Sequence, residues 1–456
     1  MRSAGRSRLQ AHTTMASLAR SDQREEGDHV DENKGGERRS YRLTRRQFLA
    51  ASSAAAAIAA CGPAATPSSA GAATATGAAT ASPGPALKIG MLLPFTKVYA
   101  ELGNSMQRAT KLYLKQKGEK LANRPVTVIY EDEANDPVVG TQKTQKFIEQ
   151  DRVDVMMGIV ATPIAYAVRN AIDAAKLVFI ETNAGGNALT RTTTDCKPSC
   201  KSKYIFRTSF SSYQISYPIG EYFATKKGVK EVFTFVSDYG FGNESAADFT
   251  AGLTKGGGRV TGTLKAPLGS ADFLPYVTTI KGQPTKDIYS FFSGTDAINY
   301  IKAWTQLGMP AAGYKMNGAG FLTEQDVLKE VKEQANGAVT SLFWAVTLDN
   351  AENKAFVDAY QKEYSLLPDV FAVQAWDGMQ ALDLALQATK GDTTNKDSFI
   401  AALESVKFKS PRGDFEFDKE THNPIQDIYI REVKVQSGQA VNTIVDKVAR
   451  VTDPGK

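Results

Sequence analysis

From residue 87 onward, short apolar runs alternate with longer amphipathic segments. Residues 87–93 (LKIGMLL) read as a buried strand, followed by a loop at 94–102 and a helix near 104–117. The next strands are predicted at 126–130, 153–157 and 177–180. Between them, Asp136-Pro137 supplies an N-cap and a proline at the first helical position, which starts a helix to about residue 150. Thr162-Pro163 repeats that pair. Ile164, Ala167, Val168, Ala171, Ile172 and Ala175 then form the apolar stripe of a helix lying on a sheet. The pattern restarts with strands at 232–236, 259–264, 287–292, 314–317 and 338–343. Helices are predicted near 216–227, 243–255, 273–281, 295–307, 323–330, 353–364 and 370–390. The last is apolar nearly all round, through Trp376, Met379, Leu382, Leu384 and Leu386, and is expected to be buried. The tail has β-like runs at 413–417, 425–432 and 441–445. Such alternation means right-handed βαβ units and parallel sheets. About 370 residues of it exceed one efficient core, so an α/β chain with two Rossmann-like lobes is expected.

The first 86 residues break the pattern. Residues 41–61 read YRLTRRQFLAASSAAAAIAAC, with Arg45 and Arg46 ahead of a 13-residue, mildly apolar stretch at 48–60. A permanent membrane helix needs about 20 apolar residues. A basic segment, a short apolar segment and small residues before a break form the export pattern instead, and T-R-R-Q-F-L resembles a twin-arginine signal. Residues 58–61, Ile-Ala-Ala-Cys, look like a lipoprotein processing box, which would make Cys61 the lipidated first residue of the mature chain. Residues 62–86 contain only Ala, Gly, Pro, Ser and Thr, which is a tether. The expected organisation is therefore 1–60 signal region, 61–86 lipidated cysteine and tether, then 87–208 and 339–411 in lobe 1 and 209–338 and 412–456 in lobe 2. The other cysteines, Cys196 and Cys200, are spaced C-x3-C, unlike a redox or zinc motif. In an oxidising compartment they read as a small loop disulfide, with two free surface thiols as the alternative.

Composition narrows the function. Hydrophobic residues make up 42% and charged residues 23%, which excludes wholesale disorder. Residues 1–60 hold 11 Lys+Arg and 7 Asp+Glu, leaving 43 against 42 in the rest, so the body carries no basic surface for nucleic acid. His12 and His29 lie in the leader, so only His422 remains for a catalytic base or a metal ligand. G-x-S-x-G, H-E-x-x-H and Walker A motifs are absent, and neither an enzyme nor a cofactor is expected.

In parallel sheets, ligands bind outside the carboxyl ends of the strands. The loops there hold small polar residues: Gly158-Ile159-Val160-Ala161-Thr162, Glu181-Thr182-Asn183-Ala184-Gly185-Gly186, Ser237-Asp238-Tyr239-Gly240, Ser293-Gly294-Thr295-Asp296 and Gly318-Ala319-Gly320-Phe321. Thr162 either caps its helix or offers its hydroxyl, beside helix N–H groups, to an anion. The loop at 181–186 is either a backbone approach to a small molecule or an ordinary connection.

The order of LKIGMLLPFT, EDEANDPVVG, VDVMMGIVATP, FVSDYGFG, FFSGTDAINYIKAWTQLGM and SPRGDFEFD with HNPIQDIYIREV resembles the extracytoplasmic solute-binding proteins of ABC importers. The similarity is to the type I fold and the branched-chain amino acid (leucine-binding protein-like) receptors, and it covers about 87–445. It implies two lobes joined by three crossovers, near 207–210, 337–341 and 409–413, with a ligand trapped between them. It further implies that Thr162, beside Ala161, holds a ligand carboxylate and that the next loop, at Asn183, Ala184 and Gly185, contributes a backbone carbonyl but lacks the hydroxyl the family has there. Tyr239 matches the aromatic before Gly-x-Gly, and Phe371 an apolar wall residue.

Two departures stand out. Thr295 occupies the place of an aromatic, and Ala319 that of the acid that pairs with a ligand ammonium. A buried ammonium without a partner costs several kcal/mol, so the expected ligand is a carboxylate without an amine, unless Asp238 or Asp296 substitutes. Relatives with FFSGTDA-type and SPRG-type segments resemble receptors for aromatic acids, and Tyr99, Tyr239, Phe321, Phe371 and Trp376 are candidates for a pocket around a ring. The implied partners are ABC permease subunits, with membrane contact through the N-terminal lipid alone. A sensor of the same fold acting on a signalling partner is the alternative.

Overall fold

The computed structural model describes residues 85–191 and 201–455. Cys61, Cys196, Cys200 and the leader lie outside these residues. The chain begins with β1 (Leu87–Leu93) and α1 (Ala100–Gln116), then β2 (Lys120–Leu121) and β3 (Arg124–Asp132). α2 (Pro137–Lys146) continues through a π-type turn at Phe147–Asp151 into β4 (Val155–Gly158). α3 (Thr162–Ala175), β5 (Val178–Glu181) and β6 (Ile205–Arg207) complete a six-stranded sheet of order β2-β3-β1-β4-β5-β6. It is parallel except for the β2–β3 pair. The α2 start follows its local chemistry: the Asp136 carboxylate accepts the N–H groups of Val138 and Val139, with Pro137 behind it.

The second lobe comprises α4 (Ser212–Thr225), β7 (Glu231–Ser237), α5 (Gly240–Lys255), β8 (Arg259–Ala266) and α6 (Leu274–Lys281). β9 (Asp287–Phe291), α7 (Gly294–Gln306), β10 (Lys315–Ala319), α8 (Gln325–Val331) and β11 (Val339–Leu342) follow. After α9 (Ala351–Tyr364), α10 (Val370–Ala388) and α11 (Lys396–Glu404) comes a two-stranded hairpin, β12 (Lys407–Ser410) and β13 (Gly413–Glu416). β14 (Gln426–Gln436) and β15 (Gln439–Val451) then add antiparallel to the second sheet, giving the order β15-β14-β11-β10-β9-β7-β8. The α/β class and the two parallel-dominated sheets agree with the expectation from sequence.

The chain passes between lobes at residues 208–211, after Leu342 and between β13 and β14. The second passage comes later than 337–341, because β11 still pairs with β10 and β14. A buried guanidinium ties the passages together. Arg412 donates to the carbonyls of Thr208 (2.7 Å) and Ser209 (3.3 Å) and pairs with Asp377 on α10 at 2.7 Å.

α10 returns to the first lobe and packs on α1. Trp376 stands edge-on to Tyr113 (4.9 Å between ring centroids) and meets Phe356 at 5.1 Å. It is thus a helix-packing residue, and the structure corrects its assignment to the pocket.

Candidate functional site

Each sheet has one place where the chain winds outward on both sides, beside β1 in the first and between β7 and β9 in the second. The loops leaving these strands face one another, as the general rule for open α/β sheets requires. They close on a cavity of only about 20 Å³, walled by residues of both lobes.

Backbone geometry shapes the first wall. At the end of β4, Gly158 has φ +117°, and a Cβ there would lie 2.2 Å from the Leu92 carbonyl oxygen. Ile159 follows at φ +67°, a strained value for a β-branched residue. Strain of this kind concentrates where a loop is shaped for a task. The turn delivers Val160 and Thr162 to the cavity. Ala161 is the residue that caps α3, and Thr162 is its first helical residue, so the structure corrects the reading of Thr162 as the cap. The Thr162 hydroxyl is buried and bonds to no protein group among the described residues. The Val160 and Ala161 N–H groups are taken by Glu133, whose two carboxylate oxygens accept them at 3.0 and 3.1 Å. Burial pushes the Glu133 carboxyl up to about 8, against the pull of those two bonds.

The loop after β5 is braced in the same way. Glu181 accepts the N–H groups of Asn183 (2.8 Å) and Ala184 (2.7 Å). Arg207 donates to the carbonyls of Ala184 and Gly186. This leaves Asn183 and Gly185 on the cavity wall, and Ala184 behind it. The Asn183 side-chain amide donates to Gln374 at 2.9 Å.

In the second lobe, Tyr239 caps α5 and Ser293 caps α7. Both line the cavity, and the Ser293 hydroxyl, like that of Thr162, is buried without a protein partner among the described residues. Thr295 is exposed and one position into α7 from Gly294, so it does not face the cavity, and Ser293 stands there instead. Three helix N-termini therefore meet at one small space, each with a positive dipole end.

Phe210, Phe241, Phe291 and Phe321 supply the apolar part. Phe241 meets Phe291 at 4.7 Å and Phe210 at 5.6 Å, and Phe210 meets Phe321 at 5.1 Å. Phe371 stacks behind Phe321 at 5.6 Å, a layer away from the cavity, and Ala319 is buried at the end of β10 without lining it. Sequence reasoning missed Leu102, Val160, Phe210, Phe241, Phe291 and Ser293. Phe241 and Phe291 sit inside the quoted YGFG and FFSGT segments, so a position-by-position reading of those loops had the signal. Phe210 carried none, because it lies on a connection between lobes.

No Asp, Glu, Lys or Arg lines the cavity. Asp238 is exposed beside Lys265; one oxygen of Asp296 accepts the Gly269 N–H at 2.9 Å and the other is buried without a partner among the described residues, and neither residue lines the cavity.

The lobes touch at the cavity wall and beside it. Tyr99 donates to Tyr239 across the cleft at 3.1 Å. Glu244 of α5 accepts the Tyr166 hydroxyl (2.8 Å) and the Asn187 N–H (2.6 Å). Gly294, at φ +57°, lets α7 approach so closely that a Cβ would lie 2.5 Å from the Val98 carbonyl oxygen. The conformation is closed, and a ring-sized guest enters only as the lobes part.

The sequence profile of periplasmic binding proteins matches residues 86–440. The chain belongs to the periplasmic binding protein family. The Leu/Ile/Val-binding protein homolog 6 of Brucella melitensis is 30% identical over 385 residues, covering 83% of this chain and 95% of that one. A solute-binding protein of an ABC transporter from Rhodopseudomonas palustris BisB5, solved with 3,4-dihydroxybenzoic acid, is 34% identical with a TM-score of 0.76. The match covers 81% of this chain and 99% of that one. A second R. palustris solute-binding protein, solved with benzoate, is 33% identical with a TM-score of 0.74, over 80% and 98% of the two chains. This periplasmic binding protein is therefore a small-molecule solute-binding protein of ABC transport with the type I fold. The family works outside the cytoplasm and with permease partners.

Proposed function

We propose that this protein captures an aromatic carboxylate, of the benzoate or hydroxybenzoate class, and delivers it to an ABC permease. The observation that carries the reading is the composition of the cavity wall. Four phenylalanines wall the closed cleft, two unpartnered hydroxyls (Thr162 and Ser293) stand at helix N-termini, and no acidic residue lines it to hold an ammonium. Phenylalanine edges and faces suit an aromatic ring. Hydroxyls and helix dipoles suit a carboxylate. The Tyr99 and Tyr239 hydroxyls offer donors or acceptors to ring substituents. The relatives solved with benzoate and 3,4-dihydroxybenzoic acid support the same class.

We further propose that the protein is exported through the twin-arginine segment, lipidated at Cys61 and held by the 62–86 tether. The lobe limits proposed are those read from sequence, with the second passage moved to follow Leu342 and the third moved from 409–413 to lie between β13 and β14. A thermal-shift panel of benzoate, 4-hydroxybenzoate, 3,4-dihydroxybenzoate, leucine and valine tests the ligand class. A ligand at 100 times its dissociation constant stabilises by about 2.7 kcal/mol, so the aromatic acids should raise the melting temperature. Shifts from leucine and valine alone would overturn the proposal. Radiolabelled palmitate incorporation that survives Cys61→Ala would overturn the anchor.

A further inference from the structure

Away from the aromatic pocket, the lobes meet along a second seam, where α1 and the start of α10 face α8. Acids crowd this seam. Glu101 of α1 and Asp369, the cap of α10, belong to the first lobe. Glu324, the cap of α8, and Asp326 within it belong to the second. Asp369 accepts the Ala372 N–H at 2.9 Å and the Ser105 hydroxyl of α1 at 2.5 Å. Two polar contacts cross from lobe to lobe. Glu324 accepts the Val370 N–H at 2.9 Å, and Lys329 reaches Glu101 at 2.9 Å.

The cations at the seam are engaged elsewhere. Arg431 of β14 pairs with Glu324 at 2.6 Å. Arg108 pairs with Glu101 and donates to the Tyr360 hydroxyl, both at 2.9 Å. Lys332 and Glu333 stand exposed at the rim with opposite charges. Asp326 and Asp369 are therefore left over. They come from opposite lobes, line the same inter-lobe space, and are only 5% and 4% exposed. Neither makes an ion pair among the described residues, and the Asp326 Oδ1 atom is buried without a partner there. Burial, and then the facing Asp369 and Glu324 carboxylates, push the Asp326 carboxyl well up. Burial also pushes the Asp369 carboxyl up, to about 6. Two acids facing each other out of water resist ionising together, and one proton removes the repulsion. When the lobes part, Asp326 leaves with the second lobe and Asp369 with the first. Water then reaches both, and each returns toward the ordinary 3.8 of an aspartate.

We propose that closure of the lobes takes up a proton, held between Asp326 and Asp369 across this seam, so that acidity favours the closed, ligand-holding form. Because the closed form binds the extra proton, its advantage is fully present below pH 3.8 and is lost as pH rises through the value the pair has when closed. Between those limits the closed-to-open ratio falls about tenfold per pH unit. Any guest that binds only the closed form is held more tightly in acid by the same factor.

Small-angle X-ray scattering of the ligand-free protein at pH 5, 6.5 and 8 tests the proposal, with circular dichroism at each pH. The expected result is a compact protein at pH 5 whose radius of gyration grows by pH 8 with its helical signal intact. Asp326→Asn carries no charge at any pH and should stay compact across the series. Should that variant fail to fold, Asp369→Asn keeps a capping side chain on α10 and should lose the same pH dependence. A radius that does not change with pH in the parent, or an undiminished expansion in a folded variant, would overturn the proposal. Expansion with loss of the helical signal would be unfolding and would overturn it as well. No ligand is added, so the outcome is independent of the function proposed for the cleft.

Discussion

Thr162→Val separates ligand binding from folding in a single substitution. Valine keeps the shape of threonine and exchanges the hydroxyl for a methyl. The Thr162 side chain is 1% exposed, and its hydroxyl has no protein partner among the described residues, so the exchange breaks no internal hydrogen bond. A buried hydroxyl without a partner costs on the order of 1–3 kcal/mol. The ligand-free variant should therefore be at least as stable as the parent, by urea denaturation. A hydrogen bond to a charged group contributes about 1.5–3 kcal/mol. Affinity for an aromatic carboxylate should then fall by about tenfold to a hundredfold in calorimetry. Thr162→Ser, which keeps the hydroxyl, should stay within a few-fold of the parent. Unchanged affinity in Thr162→Val would refute the role of the hydroxyl. A clear loss of ligand-free stability would show that it has a structural partner.

Three further outcomes are expected. A Cβ on Gly185 would lie 2.4 Å from Phe210 Cε2 and 2.5 Å from Phe241 Cε2. Gly185→Ala should thus cost about 1–3 kcal/mol by overpacking and abolish binding of a ring, read by thermal melting and calorimetry together. Arg412→Met strands the buried Asp377 carboxylate and should destabilise by about 3–5 kcal/mol in urea, with part recovered in the Asp377→Asn/Arg412→Met double variant. The Glu133 carboxyl titrates at about 8 when folded, against an ordinary 4.5. Between those values the folded state holds the extra proton, so Glu133's contribution is fully present below pH 4.5 and is lost as pH rises to 8. Glu133→Gln should flatten the stability profile over that window in denaturation series, and an unaltered slope would contradict the assignment.

Much of the fold was legible because it rests on local signals. The β1 strand at Leu87–Leu93 begins and ends where its apolar run does, and α2 starts at Pro137 behind the Asp136 cap. Among the elements that went unread, β6 has three residues and β2 two, and the nine-residue helix α11 was missed as well. β11 was seen as a strand, but its apolar run gave no sign of which lobe it serves, and that is settled by pairing with β10 and β14. The site was legible at loop resolution only. Thr162, Asn183, Gly185, Tyr239, Tyr99 and Phe321 reach the cavity. Thr295 and Phe371 do not, because helix phase turns Thr295 outward and Phe321 stands in front of Phe371. Periodicity assigns a residue to an element but does not say which of two neighbouring side chains fills a space between lobes.

The central claim is that the cleft prefers an aromatic carboxylate to an α-amino acid. Side-by-side calorimetric titration of benzoate and L-leucine into the ligand-free protein addresses it most directly. Saturable binding of benzoate with no measurable heat from leucine is the predicted result. Leucine binding more tightly than benzoate would contradict it, and would mean that an acidic group outside the present cavity wall reaches the ligand ammonium.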